Sequence, residues 1–140
     1  MKKFEYFDVT ADIGFYAYGT DLNEAFTNAG LALFNIISDT GDISPLKNFA
    51  FTVISEDKVS LLYDYLEELL FYHEVEFMLF SRFTVKIKKT GGEYQLDAEI
   101  MGEEINWDKH ERKCEIKAIT FHQMEVKENE NVCLKAIVDL

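Results

Sequence analysis

The spacing of apolar positions changes several times along the chain, and each change marks an element. Residues 4–7 and 12–18 read as strands, the second lying in the stretch ADIGFYAYG, where small or apolar residues alternate with others. Leu22, Ala25, Phe26, Ala29, Leu33, Ile36 and Ile37 then recur every three or four residues, which puts them on one face of a helix running to about residue 37. Asp21, with Glu24 three residues on, is a capping pattern and sets the start of that helix. SDTGDISP (38–45) is turn chemistry, and NFAFTVIS (48–55) is rich enough in aromatic and β-branched residues for a strand. Ser55, Glu56 and Asp57 offer caps for a second helix to about residue 76. Its apolar side carries Val59, Leu62, Leu66, Leu69 and Leu70, while Asp64, Glu67 and Glu68 face elsewhere.

The rest of the chain reads as strands. RFTVKIKK (82–89) and EYQLDAEI (93–100) both alternate with period two, and Gly91-Gly92 between them makes a hairpin. Segments 114–126 and 132–138 read as two longer strands joined by the polar turn Glu128-Asn129-Glu130-Asn131. In the first of these the apolar parity shifts between Ala118 and Ile119, which implies a bulge or burial on both faces. Strands that neighbour strands, with two helices placed between groups of them, imply an α+β fold: a mainly antiparallel or mixed β-sheet packed with two principal helices.

A chain of 140 residues with 48% hydrophobic residues, 12 Phe and 7 Tyr is expected to form one domain, 1–140, around an aromatic core. It has one proline, no repeat and no Gly/Ser linker. Acidic residues outnumber Lys plus Arg by 26 to 14, for a net charge of -12. Counterion release from phosphates needs clustered positive charge, and only Lys86-Ile87-Lys88-Lys89 offers a short group, so strong direct nucleic-acid binding is not expected. A field of this sign steers a protein toward basic surfaces or cations, although solubility alone explains it equally well. Glu5 and Asp8 interrupt any signal-peptide core after Met1-Lys2-Lys3, and the longest uncharged stretch, 25–38, is too short to span a bilayer. A soluble, cytoplasmic protein with no membrane partner is expected. Cys114 and Cys133 lack CxxC spacing and are expected to be reduced core residues.

Candidate chemistry is sparse. No GxSxG elbow, Walker loop or GxGxxG turn is present, and His73, His110 and His122 lack ligand spacing. Glu103, Glu104 and Asp108 read as a solvated acidic loop, and Tyr16 and Tyr18 as packing residues on the strand face of Asp12. Asp12 opens one strand and Asp139 closes the last, one residue before the carboxylate of Leu140. If those strands are neighbours, the two aspartates meet. Carboxylates about 4 Å apart repel by roughly 4 kcal/mol at an effective dielectric of 20, so such a pair calls for a proton or a cation. Hard oxygen ligands favour Ca²⁺, Mg²⁺ or Mn²⁺, and backbone carbonyls near the terminus can add to the shell. Solvated strand ends are the ordinary alternative. Asp39 is a third member of the set, with turn formation as its ordinary role.

Five segments in order, DVTADIGFYAYGTDLNEAF, ALFNIISDTGDISPL, SLLYDYLEELLFYHEVEFML, GEEINWDKHERKCEIKAITFHQMEV and the terminal IVDL, resemble the archease family over nearly the whole chain. The resemblance implies an archease-like fold and a non-catalytic activator of the RNA-splicing ligase that joins tRNA halves, promoting the ligase's guanylylation and multiple turnover. It also implies a metal pocket that maps onto Asp12, Asp139 and the carboxyl end of Leu140, with Asp39 near it and Ca²⁺ or a related divalent ion as occupant. The family usually has His where this chain has Val9. A general chaperone-like or small-ligand binding module and a stand-alone metal-dependent enzyme are the competing functions. The first calls for a large exposed apolar patch, the second for a nucleophile with its base.

Overall fold

The computed structural model describes residues 1–140. Strand β1 (Phe4–Val9) turns through Thr10-Ala11 into β2 (Asp12–Gly19), and helix α1 (Leu22–Ile37) runs back alongside. Asp21 caps α1 by accepting from the Glu24 N–H at 2.8 Å, and the Glu24 carboxylate accepts from the Thr20 N–H at 2.8 Å, so two otherwise orphaned donors are satisfied reciprocally. A short 3-10 turn (Thr40–Asp42) leads to β3 (Lys47–Ser55). Helix α2 (Lys58–Val75) follows, with Asp57 as its N-cap accepting from the Ser60 N–H at 2.7 Å. Then come β4 (Met78–Thr90), β5 (Glu93–Glu104), β6 (Ala118–Glu128) and β7 (Val132–Asp139).

The seven strands form two sheets, β1-β2-β7-β6 and β3-β5-β4, with every pairing antiparallel. Helix α1 packs on β2 of the first sheet and β4 of the second, and α2 on β6 and β3, so each helix bridges both sheets. One hydrophobic cluster of 32 buried residues draws on both helices and both sheets, which makes the interior a single core. Because α1 is covered on two sides, Asn28 and Gly30 are buried along with its apolar face. At Gly30 a Cβ would stand 2.8 Å from both the Phe83 ring and the Tyr65 hydroxyl, so only glycine lets the helix approach that closely. On α2 the expected Leu62, Leu66, Leu69 and Leu70 are buried, joined by Leu61 and Tyr65. No helix is long and apolar enough to cross a membrane.

Two boundaries differ from the sequence expectation. Strand β4 starts at Met78, because Met78, Leu79 and Phe80 are all buried and the run therefore lacks alternation. Residues 114–117 are not strand: β6 begins at Ala118, and the Lys113 N–H bonds to the Ile37 carbonyl at the end of α1. The parity shift in that region does correspond to a break in the β6–β7 ladder between Thr120 and Glu125, with Gln123 at φ 56°. At the end of α2, Glu76 is the C-cap and Phe77 follows at φ 55°. That left-handed position, usually given to Gly or Asn, costs a side chain with a Cβ roughly 1–2 kcal/mol.

Candidate functional site

The register of the first sheet sets a row of residues across all four strands. Val9 pairs with Asp12, Asp12 with Asp139, and Asp139 with Ala118. Phe15, Ala17, Leu134, Ala136 and Val138 alternate onto the helix side and are buried, so the pleat turns Asp12 and Asp139 to the opposite face. That face is floored by aromatics: Phe7 lies over Gly14, where a Cβ would be 2.2 Å from its ring, and Tyr16 stacks between Phe7 and Tyr18. Ala11, at φ 63°, closes the turn between Val9 and Asp12.

Asp12, Asp139 and Leu140 are brought together, all half-buried. Neither aspartate side chain takes part in a hydrogen bond or an ion pair. Like charges directly opposite in a sheet are destabilising, and here the two carboxylates have no ion-pair partner to offset that. Lys117, which sequence reasoning passed over, donates its backbone N–H to the Asp139 carbonyl at 2.8 Å and so stands at the edge of the pair. The signal available was its position at the head of the KAIT segment. Asp39 lies just past the end of α1, at the same end of the fold, and its carboxylate accepts from the Gly41 N–H at 2.9 Å as the cap of the 3-10 turn. No three His, Cys, Asp or Glu side chains come close enough to hold an ion by themselves. The donors that fit a hard cation here are thus the Asp12 and Asp139 carboxylates with the chain end beside them. Ca²⁺ takes six to eight oxygens, so most of the shell would come from water or from a second molecule.

Residues 105–117 connect this corner to the end of β5 and are anchored by Glu103. The Glu103 Oε2 accepts from the Ser44 N–H at 2.6 Å and from the Lys109 ammonium at 2.6 Å, and lies 3.1 Å from His110 Nε2. His110 is buried, and its Nδ1 accepts from the Asn106 N–H at 3.0 Å, which leaves the proton of the neutral ring on Nε2, facing Glu103. Burial alone would raise the Glu103 carboxyl, but Lys109, the Ser44 N–H and His110 outweigh it and bring it down to about 2. Glu103 is therefore a structural anchor rather than a solvated loop residue, whereas Glu104 pairs with Lys47 at the surface. The cysteines also depart from expectation, since Cys114 is exposed and Cys133 half-buried. Both are free thiols, and burial pushes that of Cys133 up.

Comparison with known proteins matches residues 4–140 to the model of the Archease protein family. The protein archease of Methanothermobacter thermautotrophicus is 50% identical over 141 aligned positions, covering 100% of both chains, and that of Sulfurisphaera tokodaii is 40% identical with the same coverage. The protein archease of Pyrococcus abyssi is 43% identical over 91% of this chain and 89% of its own. The solution structure of Methanobacterium thermoautotrophicum protein 1598 superposes with a TM-score of 0.90 at 50% identity, covering 100% of each chain.

Proposed function

Because the chain belongs to the archease family, we propose that it is a non-catalytic, cytoplasmic activator of the RNA-splicing ligase, promoting that enzyme's guanylylation and multiple turnover. The observation that carries this reading is the Asp12–Asp139 register, which leaves two opposed carboxylates at one corner without a counter-ion. Asp12 and Asp139 would hold a divalent ion there, with the carboxyl end of Leu140 adding oxygens and Asp39 contributing from the end of α1. Ca²⁺ is the first choice, Mg²⁺ and Mn²⁺ the alternatives. Once bound, the ion supplies positive charge that organises anionic groups around it. A donor set this small leaves coordination positions open, which suits an ion shared with a partner's active-site mouth. Val9 stands next to Asp12 in the row, so this chain offers no imidazole at that point. Covalent chemistry, GTP binding and RNA binding belong to the ligase.

The test is a single-turnover guanylylation assay of the ligase with and without this protein. Stimulation by the parent is expected, and Asp12→Ala and Asp139→Ala are expected to lose it while keeping the parent's circular dichroism. Two folded variants that stimulate as well as the parent would remove the site assignment. A parent with no effect would remove the role.

A further inference from the structure

Phe77 holds a position that does not suit its side chain. It follows the C-cap of α2 in the left-handed region, where glycine is at ease and a Cβ is not. The residue is nonetheless 67% exposed, so burial does little to offset the strain. The side chain gains little packing in return for that backbone, and a large apolar group is left facing solvent.

The ring has apolar company. The Phe77 carbonyl accepts from the Ile105 N–H at 2.8 Å, and Phe77, Ile105 and Trp107 line one cleft of about 380 Å³. Leu46, 74% exposed, lies beside Ile105, and Phe71 and Val75 near the end of α2 are exposed as well. A gathering of exposed apolar side chains of this kind marks an interaction surface. It sits at the end of the fold where α1 and α2 finish, and residues 105–117 lead from it to Lys117 at the Asp139 carbonyl. Around it Glu74, Glu76, Asp108, Glu111 and Glu115 are exposed and join no ion pair. Arg112, over the Trp107 ring at 5.1 Å, and Lys113, whose ammonium donates to the Asn35 carbonyl at 3.1 Å, line the same cleft, and the five carboxylates outnumber these two cations.

We infer that this ledge docks on a basic protein surface, with Phe77 and Trp107 entering an apolar socket whose cationic rim meets the acidic side chains around them. The inference rests on the activator reading and gives the ligase a second hold on the molecule, beside the aspartate corner. Charge complementarity selects the occupant. A second copy docked through the same face would set two acidic rims against each other, and an anionic membrane would be repelled in the same way.

Phe77→Gly separates docking from folding, because it removes the ring and relieves the backbone. Its melting temperature is expected to equal or exceed the parent's, while its Kd for the ligase weakens about tenfold or more, as for a central aromatic anchor. Trp107 is the only tryptophan, so protein labelled with 5-fluorotryptophan gives one ¹⁹F resonance. That resonance is expected to shift when ligase is added. A stimulating parent matched by Phe77→Gly in affinity, or a resonance unmoved at saturating ligase, overturns the ledge alone. A parent dimer that Phe77→Gly makes monomeric assigns the face to self-association and also overturns it. A parent that neither binds nor stimulates the ligase overturns the activator reading and the ledge together.

Discussion

Asp12 and Asp139 face each other across β2 and β7 with no cation paired to either. Opposed like charges on a sheet cost a few tenths to about 1 kcal/mol. In EDTA, Asp12→Asn is therefore expected to melt slightly above the parent, since the amide removes the repulsion. Millimolar Ca²⁺ should invert the order, because an ion that binds only the folded parent raises its melting temperature by mass action. Thermal scans of both proteins in EDTA and in Ca²⁺ check this. An equal response of the two to Ca²⁺ would dissociate Asp12 from the ion. Val9 lends itself to the opposite experiment. It adjoins Asp12 in the row, so Val9→His adds a nitrogen donor beside two oxygens, and imidazole suits transition metals rather than Ca²⁺. Titration calorimetry is expected to show tighter Zn²⁺ binding with Ca²⁺ affinity unchanged.

Between β5 and β6 the chain is tethered through Glu103, and the acid response of that tether has a definite sign. The ordinary value of such a carboxyl is 4.5, and in the folded protein it stands at about 2. The charged form is thus favoured by folding. Its stabilisation is complete above pH 4.5 and disappears as pH falls toward 2. Glu103→Gln is expected to lower the unfolding free energy measured by urea titration by a constant amount above pH 5, on the order of 1–3 kcal/mol, because Lys109 and the Ser44 N–H lose a charged acceptor. The difference from the parent should shrink below pH 4. None of this was legible beforehand, because Ser44 lies 59 residues from Glu103 and nothing local marks the pair. Local signals served well where one element decides the outcome. Asp21 with Glu24 capped α1 as expected, Gly91-Gly92 turned β4 into β5, and the parity shift at Ala118 and Ile119 preceded the broken β6 ladder. They failed where tertiary contacts decide. Burial on both faces hid the start of β4, and the chain just before the expected 114–126 strand is tied to the end of α1 by the Lys113 N–H on the Ile37 carbonyl. The aspartate corner lies between these cases. Two strand-end carboxylates could be read as possible partners, but their register depended on β2 choosing β7 as its neighbour.

At the scale of the molecule, the net charge of -12 is unevenly placed. Lys86, Lys88 and Lys89 lie toward the Gly91-Gly92 turn, while Asp12, Asp139 and the acidic rim of the ledge lie at the opposite end, where β4 starts and β5 ends. A charge arrangement of this kind orients the protein during encounter, so that its acidic end reaches a basic partner first. Steering acts over the Debye length, about 10 Å at 0.1 M salt and 3 Å at 1 M. The association rate with the ligase is therefore expected to fall about tenfold between 50 and 500 mM NaCl, with dissociation little changed, in stopped-flow or surface-binding measurements. Phe77→Gly should give the complementary pattern: faster dissociation, with the parent's salt dependence of association retained. The two perturbations would act on different steps, charge on the approach and the seated Phe77 ring on the lifetime of the complex. If association were equally fast at both salt concentrations, the acidic surplus would serve solubility alone, and the ledge would have to bind without guidance from the field around it.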